Sequence, residues 1–162
     1  GLHVPSEYGA DFLARTLVRD SLSRNVTTLR ADQTIADIRA WCRRHDEGSE
    51  HGGYPIVDEQ GELMGVVSRK DIFSAERDES AAIASAIHRT PAVVFEDNTL
   101  REAADLMIVE KVGRLPVVLR EDPLQIVGIL TRSDLLHAHE SRLEEENDSQ
   151  QSIALTPFWK KA

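Results

Sequence analysis

Two sets of side chains in this sequence join a hydroxyl, a guanidinium and a carboxylate within four positions: Ser68, Arg69 and Asp71, then Thr131, Arg132 and Asp134. A hydroxyl followed three residues later by an acid has the spacing of a helix capping box, in which each side chain satisfies a free backbone donor. The same helix start offers unpaired N–H groups and the positive end of a dipole to an anion. Capping alone and anion binding therefore both account for these residues. The arginines, at exposed first-turn positions, are expected to be solvated more often than bound to phosphate. Other chemistry lacks its groups. There is no Gly-x-x-x-x-Gly-Lys-(Ser/Thr) loop, no nucleophile elbow and no Cys/His pair in a recognisable setting, so nothing is present to hydrolyse a nucleotide and no enzyme is expected. His45, Asp46, Glu47 and His51, and also His137, His139 and Glu140, are metal-ligand types without the spacing of a ligand set, so no metal is expected. Cys42 falls on an apolar helix face, where a buried, inert thiol is expected.

The elements that carry these residues occur twice. Leu63-Met-Gly-Val-Val-Ser-Arg-Lys-Asp-Ile-Phe73 is matched by Gln125-Ile-Val-Gly-Ile-Leu-Thr-Arg-Ser-Asp-Leu-Leu136, so Gly65 answers to Gly128 as Asp71 does to Asp134. Upstream, Pro55-Ile-Val matches Pro116-Val-Val and Asp32-Gln-Thr matches Asp97-Asn-Thr. A unit of about sixty residues is repeated.

In the first copy, Val26-Thr-Thr-Leu29 reads as a strand and Thr34-Ile-Ala-Asp37 as a cap opening a helix over about 35–45. A glycine-rich loop through 45–53 leads to a hairpin of strands at 54–58 and 63–67, and Ser68 caps a second helix. A short connecting helix is expected within 81–87, ahead of Pro91. The second copy then gives a strand at 93–95, a helix opened by Thr99-Leu-Arg-Glu102 and ending near Lys111 or Gly113, hairpin strands at 115–119 and 126–130, and a last helix capped by Thr131. Each unit reads β-α-β-β-α, an α/β (α+β) fold whose two sheets should pack with approximate two-fold symmetry. The divisions are an N-terminal arm at 1–17, unit 1 at 18–80, unit 2 at 81–140 and a polar tail at 141–162. The arm should be extended to about Gly9 and then helical. The run Glu144-Glu-Glu-Asn-Asp-Ser-Gln-Gln151 reads as mobile. Phe158 and Trp159 have no assigned role.

The bulk numbers narrow the function classes. A chain of 162 residues with 41% hydrophobic but only 5% aromatic residues builds an aliphatic core. A net charge of -9, spread through loops and tail, disfavours a nucleic-acid surface, which needs clustered Lys and Arg. One cysteine fits a reducing compartment. No apolar run approaches the roughly 20 residues of a membrane span. The start at Gly1, without methionine, looks like a cut from something longer, and what precedes it could span a membrane.

Paired units of this kind, each with apolar-Pro-(Ile/Val)-Val and Gly-apolar-apolar-(Ser/Thr)-Arg-x-Asp, resemble the tandem CBS-domain module, over about residues 18–139. The arm His3-Val-Pro-Ser-Glu-Tyr8 with Val18-Arg-Asp before the first unit resembles the cytoplasmic segment of bacterial ClC chloride channels and antiporters. CBS pairs also occur alone and on enzymes and other transporters. The resemblance implies an adenine nucleotide (AMP, ADP or ATP) between the units, with the capping Asp on the ribose and the Ser or Thr near phosphate. Carried onto this chain, a first cleft joins Thr28, His51, Gly53, Tyr54 and Pro55 with Thr131, Arg132 and Asp134. His51 stands where a stacking aromatic is expected, so stacking falls to Tyr54 unless that ring is core. A mirrored cleft of Ser68, Asp71, Gly113, Leu115 and Pro116 lacks an aromatic and ranks second. With few basic residues foreseen in either cleft, AMP or ADP is as plausible as ATP. The implied partners are a second copy, through the CBS units, and the transmembrane domain of a transporter. A structural dimerisation element with vestigial clefts, or the regulatory segment of a soluble enzyme, are the alternatives.

Overall fold

The computed structural model describes residues 12–155, with side chains to residue 150. The expected extended arm, most of its ClC-like residues, and Phe158 and Trp159 lie outside the described residues. Two three-stranded sheets of identical topology carry the fold: β1 (Leu29–Arg30), β2 (Gly53–Val57) and β3 (Leu63–Ser68), then β4 (Val94–Phe95), β5 (Arg114–Val118) and β6 (Ile126–Thr131). In each, the short first strand runs parallel to the second, and the second and third form an antiparallel hairpin. The register repeats as well, with Pro55 opposite Val66 and Pro116 opposite Ile129. The strand expected at 26–29 is reduced to Leu29 and Arg30, the residues that reach a partner on β2.

Residues 12–15 are helical, as expected after the arm, and among the described residues four further helices flank the sheets: α1 (Ile35–Arg43), α2 (Arg69–Ile72), α3 (Leu100–Glu110) and α4 (Arg132–Leu155). Helix α1 ends before residue 45 because His45 enters the left-handed region at φ 56°, which stops helical hydrogen bonding. Lys111 does the same for α3 at φ 57°. Reciprocal capping boxes form at Ser68/Asp71 and Thr99/Glu102, whereas Thr34 accepts from Asp37 N in the expected sense only. The connecting helix is a single 3-10 turn, Ile83–Ala86. The acidic run expected to be mobile is instead part of α4. No glycine or proline interrupts 132–155, good helix formers dominate it, and Arg142 pairs with Glu146 one turn on at 2.9 Å.

The hydrophobic core is two clusters, one per sheet. Ile35, Ile38, Cys42, Tyr54, Ile56 and Ile72 fill the first, and Leu100, Ala103, Met107, Leu115, Val117 and Leu130 fill the second. Each cluster is completed by a residue from the segment that precedes the opposite unit. Val18 is fully buried in the second cluster and Ile83 in the first. Backbone bonds fix the exchange: Val18 N to Asn98 O at 2.8 Å and Leu100 N to Thr16 O at 2.9 Å, against Ile83 N to Gln33 O at 2.7 Å and Ile35 N to Ala81 O at 3.0 Å.

The repeated glycines lie where these crossing segments press on the hairpins. A Cβ at Gly128 would stand 1.9 Å from Leu22 Cδ1, and one at Gly65 would stand 2.6 Å from Ile87 Cγ2. Only glycine leaves room for the crossing chain. The units therefore join by interlocked segments and hairpin contacts, such as Leu63 N to Leu124 O at 2.8 Å, rather than by fusing two open sheet faces.

Candidate functional site

Between the units lies a cavity of 380 Å³ lined by Ser68, Asp71, Arg89, Lys111, Gly113 and Arg114, among others. Its first wall is the start of α2. Ser68 leaves β3 in an extended conformation, its Oγ accepts Asp71 N at 3.0 Å, and Asp71 Oδ2 accepts Ser68 N at 3.2 Å. That cap uses one carboxylate oxygen and the hydroxyl as acceptor. The second carboxylate oxygen and the hydroxyl proton remain for a ligand.

The second wall is the tight turn between α3 and β5. The left-handed Lys111 ends the helix, and Gly113 O accepts Arg132 N at 3.0 Å. Arg114 then projects toward unit 1, where Nη1 donates to Gly53 O at 3.2 Å. Among the described residues no carboxylate pairs with it, and burial pushes its guanidinium below the ordinary arginine range. The inter-unit segment supplies His88 and Arg89, the latter held by Glu110 O at 2.9 Å. Arg89, Lys111 and Arg114 thus line the cavity together with Asp71, its one acidic lining residue, while the Glu110 carboxylate lies 3.7 Å from Arg89, and the cavity suits a ligand that carries both hydroxyls and anionic oxygens.

Of the residues expected in the mirrored cleft, Ser68, Asp71 and Gly113 line this cavity. Leu115 and Pro116 are buried strand residues and do not line it. The set expected in the first cleft does not assemble in the same way. Tyr54 is fully buried in the unit 1 core, its ring edge-on to Trp41 at 5.3 Å and to His51 at 5.9 Å. It stacks on nothing in a cleft, because every residue of β2, Gly53 and Pro55 included, is buried.

Burial also pushes the Tyr54 phenol and the Cys42 thiol up from their ordinary ranges. Thr28, His51 and Arg132 are exposed, and Thr131 and Asp134 are half-buried in a capping arrangement, Thr131 N to Asp134 Oδ2 at 2.8 Å. Asp134 lines a different depression, with Asp20 and His137, which neither Thr28 nor His51 reaches.

The asymmetry has a local cause. Residues 44–52 join α1 to β2, where only 111–113 join α3 to β5. The longer loop turns Ser49 inward to 1% exposure, and Arg69 Nη1 donates to its carbonyl. Arg69 is therefore a half-buried loop clasp, lying 5.5 Å from the Phe73 ring, and not the solvated arginine expected. Arg132, its repeat partner, is exposed.

The basic residues that line the cavity with Asp71 were missed in the sequence. Arg114 had a signal: it stands two residues before the strand proline, where unit 1 has Gly53. His88 and Arg89 lie in a connection without periodicity and had none. Among the described residues no group of three His, Cys, Asp or Glu is placed to hold a metal, and no helix is long and apolar enough to cross a membrane.

Comparison with known proteins follows the same division into two. The CBS domain family model matches residues 18–78 and 83–141. An inosine-5'-monophosphate dehydrogenase of Halobacterium salinarum is 30% identical over 138 residues, which cover 83% of this chain and 26% of that protein. The chain spans about a quarter of the length of such curated relatives. Among solved structures, the CBS domain pair of protein MJ0100, in complex with 5'-methylthioadenosine and S-adenosyl-L-methionine, superposes with a TM-score of 0.65 at 28% identity, covering 78% of this chain and 98% of that one. The cytosolic domain of the Mg2+ channel MgtE, in complex with ATP, gives 0.65 at 27% identity, covering 80% and 52%. The repeat, the paired sheets and the family match agree: this chain belongs to the CBS-domain family, as a tandem pair.

Proposed function

We propose that this CBS pair is a regulatory module that binds an adenine nucleotide in the cleft of Ser68, Asp71 and Arg114, and that occupancy sets the arrangement of the two units for an attached domain. The observation that carries the reading is that Arg89, Lys111 and Arg114 line one 380 Å³ cavity together with the capped carboxylate of Asp71. Asp71 would accept from ribose hydroxyls while the cations take phosphate oxygens. The relatives solved with ATP and with adenosine-containing ligands support an adenosine-bearing ligand.

This reading moves the site from the cleft of Thr28, His51, Tyr54, Thr131 and Asp134, ranked first from sequence, to the mirrored one. It also removes the premise that phosphate would meet few positive charges, and so brings ADP and ATP forward beside AMP. The parent is a membrane transporter with this pair on its cytoplasmic side, or an enzyme. MgtE supports the first and the dehydrogenase the second, while the ClC parent rests on arm residues alone. Any control is bounded by the ligand's differential affinity for the two unit arrangements.

Isothermal calorimetry with AMP, ADP and ATP tests the site. Asp71→Asn keeps a capping side chain but removes charge, and is expected to weaken binding at least tenfold while Asp134→Asn leaves it unchanged. Silence with all three nucleotides, or the opposite ranking of the two variants, overturns the assignment. A second reading, self-association, is favoured by Ile108, Val109 and Leu136, which are exposed by 75%, 73% and 70%.

A further inference from the structure

The two crossing segments treat the strand edges beneath them differently. Leu22 presses on Gly128 and Ile87 on Gly65, so the residues that follow, Ser23 and His88, hold the same place in the repeat. Ser23 pairs with the outer edge of β6: Ser23 N donates to Ile129 O at 2.9 Å, and Ile129 N donates to Ser23 O at 2.9 Å. Ile129 stands opposite Pro116, which has no N–H to exchange, so both backbone groups of Ile129 turn away from β5. Val66 stands opposite Pro55 in the same register, and its N–H and C=O turn away from β2 in the same way. Among the described residues no backbone group meets them there, and His88, Arg89 and Thr90 make no backbone–backbone bond. Val66, His88 and Arg89 all line the cavity. The arginines that follow also part company. Arg24 reaches Glu96 at 2.7 Å, whereas Arg89 is drawn to the end of α3, at 2.9 Å from Glu110 O.

We propose that residues 88–90 are a strap with a second seat, in which His88 pairs with Val66 through both backbone bonds, as Ser23 does with Ile129, and closes the cavity. A strand edge and an extended segment, both without backbone partners and both facing one cavity, gain two hydrogen bonds by meeting. The volume between them is what closure removes. Arg89 is the pin, since its bond to Glu110 O holds the strap at α3 and off β3. A ligand in the cavity and His88 on the β3 edge exclude one another, so the ligand takes the open arrangement alone and its apparent affinity falls with the open fraction. This control of binding rests on the nucleotide reading; the strap itself does not.

Hydrogen exchange of the Val66 amide in the nucleotide-free protein, read by NMR, tests the strap by itself. Arg89→Ala, at an exposed position, removes the pin and is expected to slow that exchange at least tenfold relative to the unaltered chain. Unchanged or faster exchange overturns the strap. The double variant Val66→Cys/His88→Cys tests the closure, because the Cα separation of a hydrogen-bonded pair, about 5.5 Å, suits a disulfide. The native Cys42 is buried and does not compete. Oxidation is expected to link the pair within one chain and to weaken ATP binding at least tenfold in calorimetry, with recovery on reduction. Failure to link, or a linked protein that binds ATP as tightly as the reduced one, overturns the gating. Reduced protein that binds no ATP overturns the nucleotide reading instead, and the exchange result then decides the strap.

Discussion

Arg114 and Gly53 hold the same place in the repeat, two residues ahead of the strand proline, and the guanidinium of the first donates to the carbonyl of the second at 3.2 Å. A pseudo-symmetric pair has become a donor and an acceptor, and the cation was left on one side only. Removal of the side chain separates the phosphate contribution from the rest of the site. Arg114→Ala is expected to weaken nucleotide binding by about tenfold to a hundredfold, the ~1.5–3 kcal/mol of a charge-assisted hydrogen bond. Adenosine, which has no phosphate, should bind both forms alike in calorimetry.

The two repeated glycines should not be equally sensitive. At Gly128 a new methyl would meet Leu22 at 1.9 Å and also the backbone oxygen of Ser23 at 2.9 Å, whereas at Gly65 it would meet only the flexible Ile87 side chain. Gly128→Ala is expected to cost about 2–3 kcal/mol, in the upper range for overpacking, and Gly65→Ala less. Urea unfolding of the two variants gives the comparison.

Arg39 is 7% exposed and ties α1 to the chain leaving α2, through Nε to Ile72 O at 2.8 Å and Nη2 to Ser74 O at 2.8 Å. Its ion pair with Glu79 involves a carboxylate side chain that is 57% exposed and contributes little. Arg39→Met keeps the stem but orphans the two carbonyls, and should destabilise the fold by about 2–4 kcal/mol. Glu79→Gln should cost less than about 1 kcal/mol in the same measurement.

Acid should loosen unit 2 through Glu102. The backbone N–H and the hydroxyl of Thr99 hold its carboxyl below the usual glutamate range. A depressed carboxyl contributes stability that is complete above the unfolded value of 4.5 and is lost as pH falls through the folded value. Glu102→Gln should therefore melt lower than the parent at neutral pH, and the difference should shrink on acidification below pH 4.5. A constant difference in thermal melts across that range would contradict the capping account.

The fold was readable because two copies of one pattern police each other. Gly65 and Gly128, Pro55 and Pro116, and the caps at Ser68 and Thr99 sit where the repeat puts them. What the pattern did not show was departure from itself. The end of α1 depends on His45 taking a left-handed conformation, which no periodicity announces. The reach of α4 depends on the absence of breakers in a run whose charge suggested disorder. At the site, Tyr54 was a stacking candidate by type but belongs to a strand buried along its whole length. Arg114 lay open to alignment of the two copies. Arg89 was not, since only the course of the connection brings it to the cavity.

Because Val18 completes the hydrophobic cluster of unit 2 and Ile83 that of unit 1, neither half owns all of its interior. Scission anywhere between them would leave each fragment with a hole that only the other can plug. Heat should consequently melt the two sheets in a single step, and a strain imposed on either leader would be felt first on the far side of the molecule.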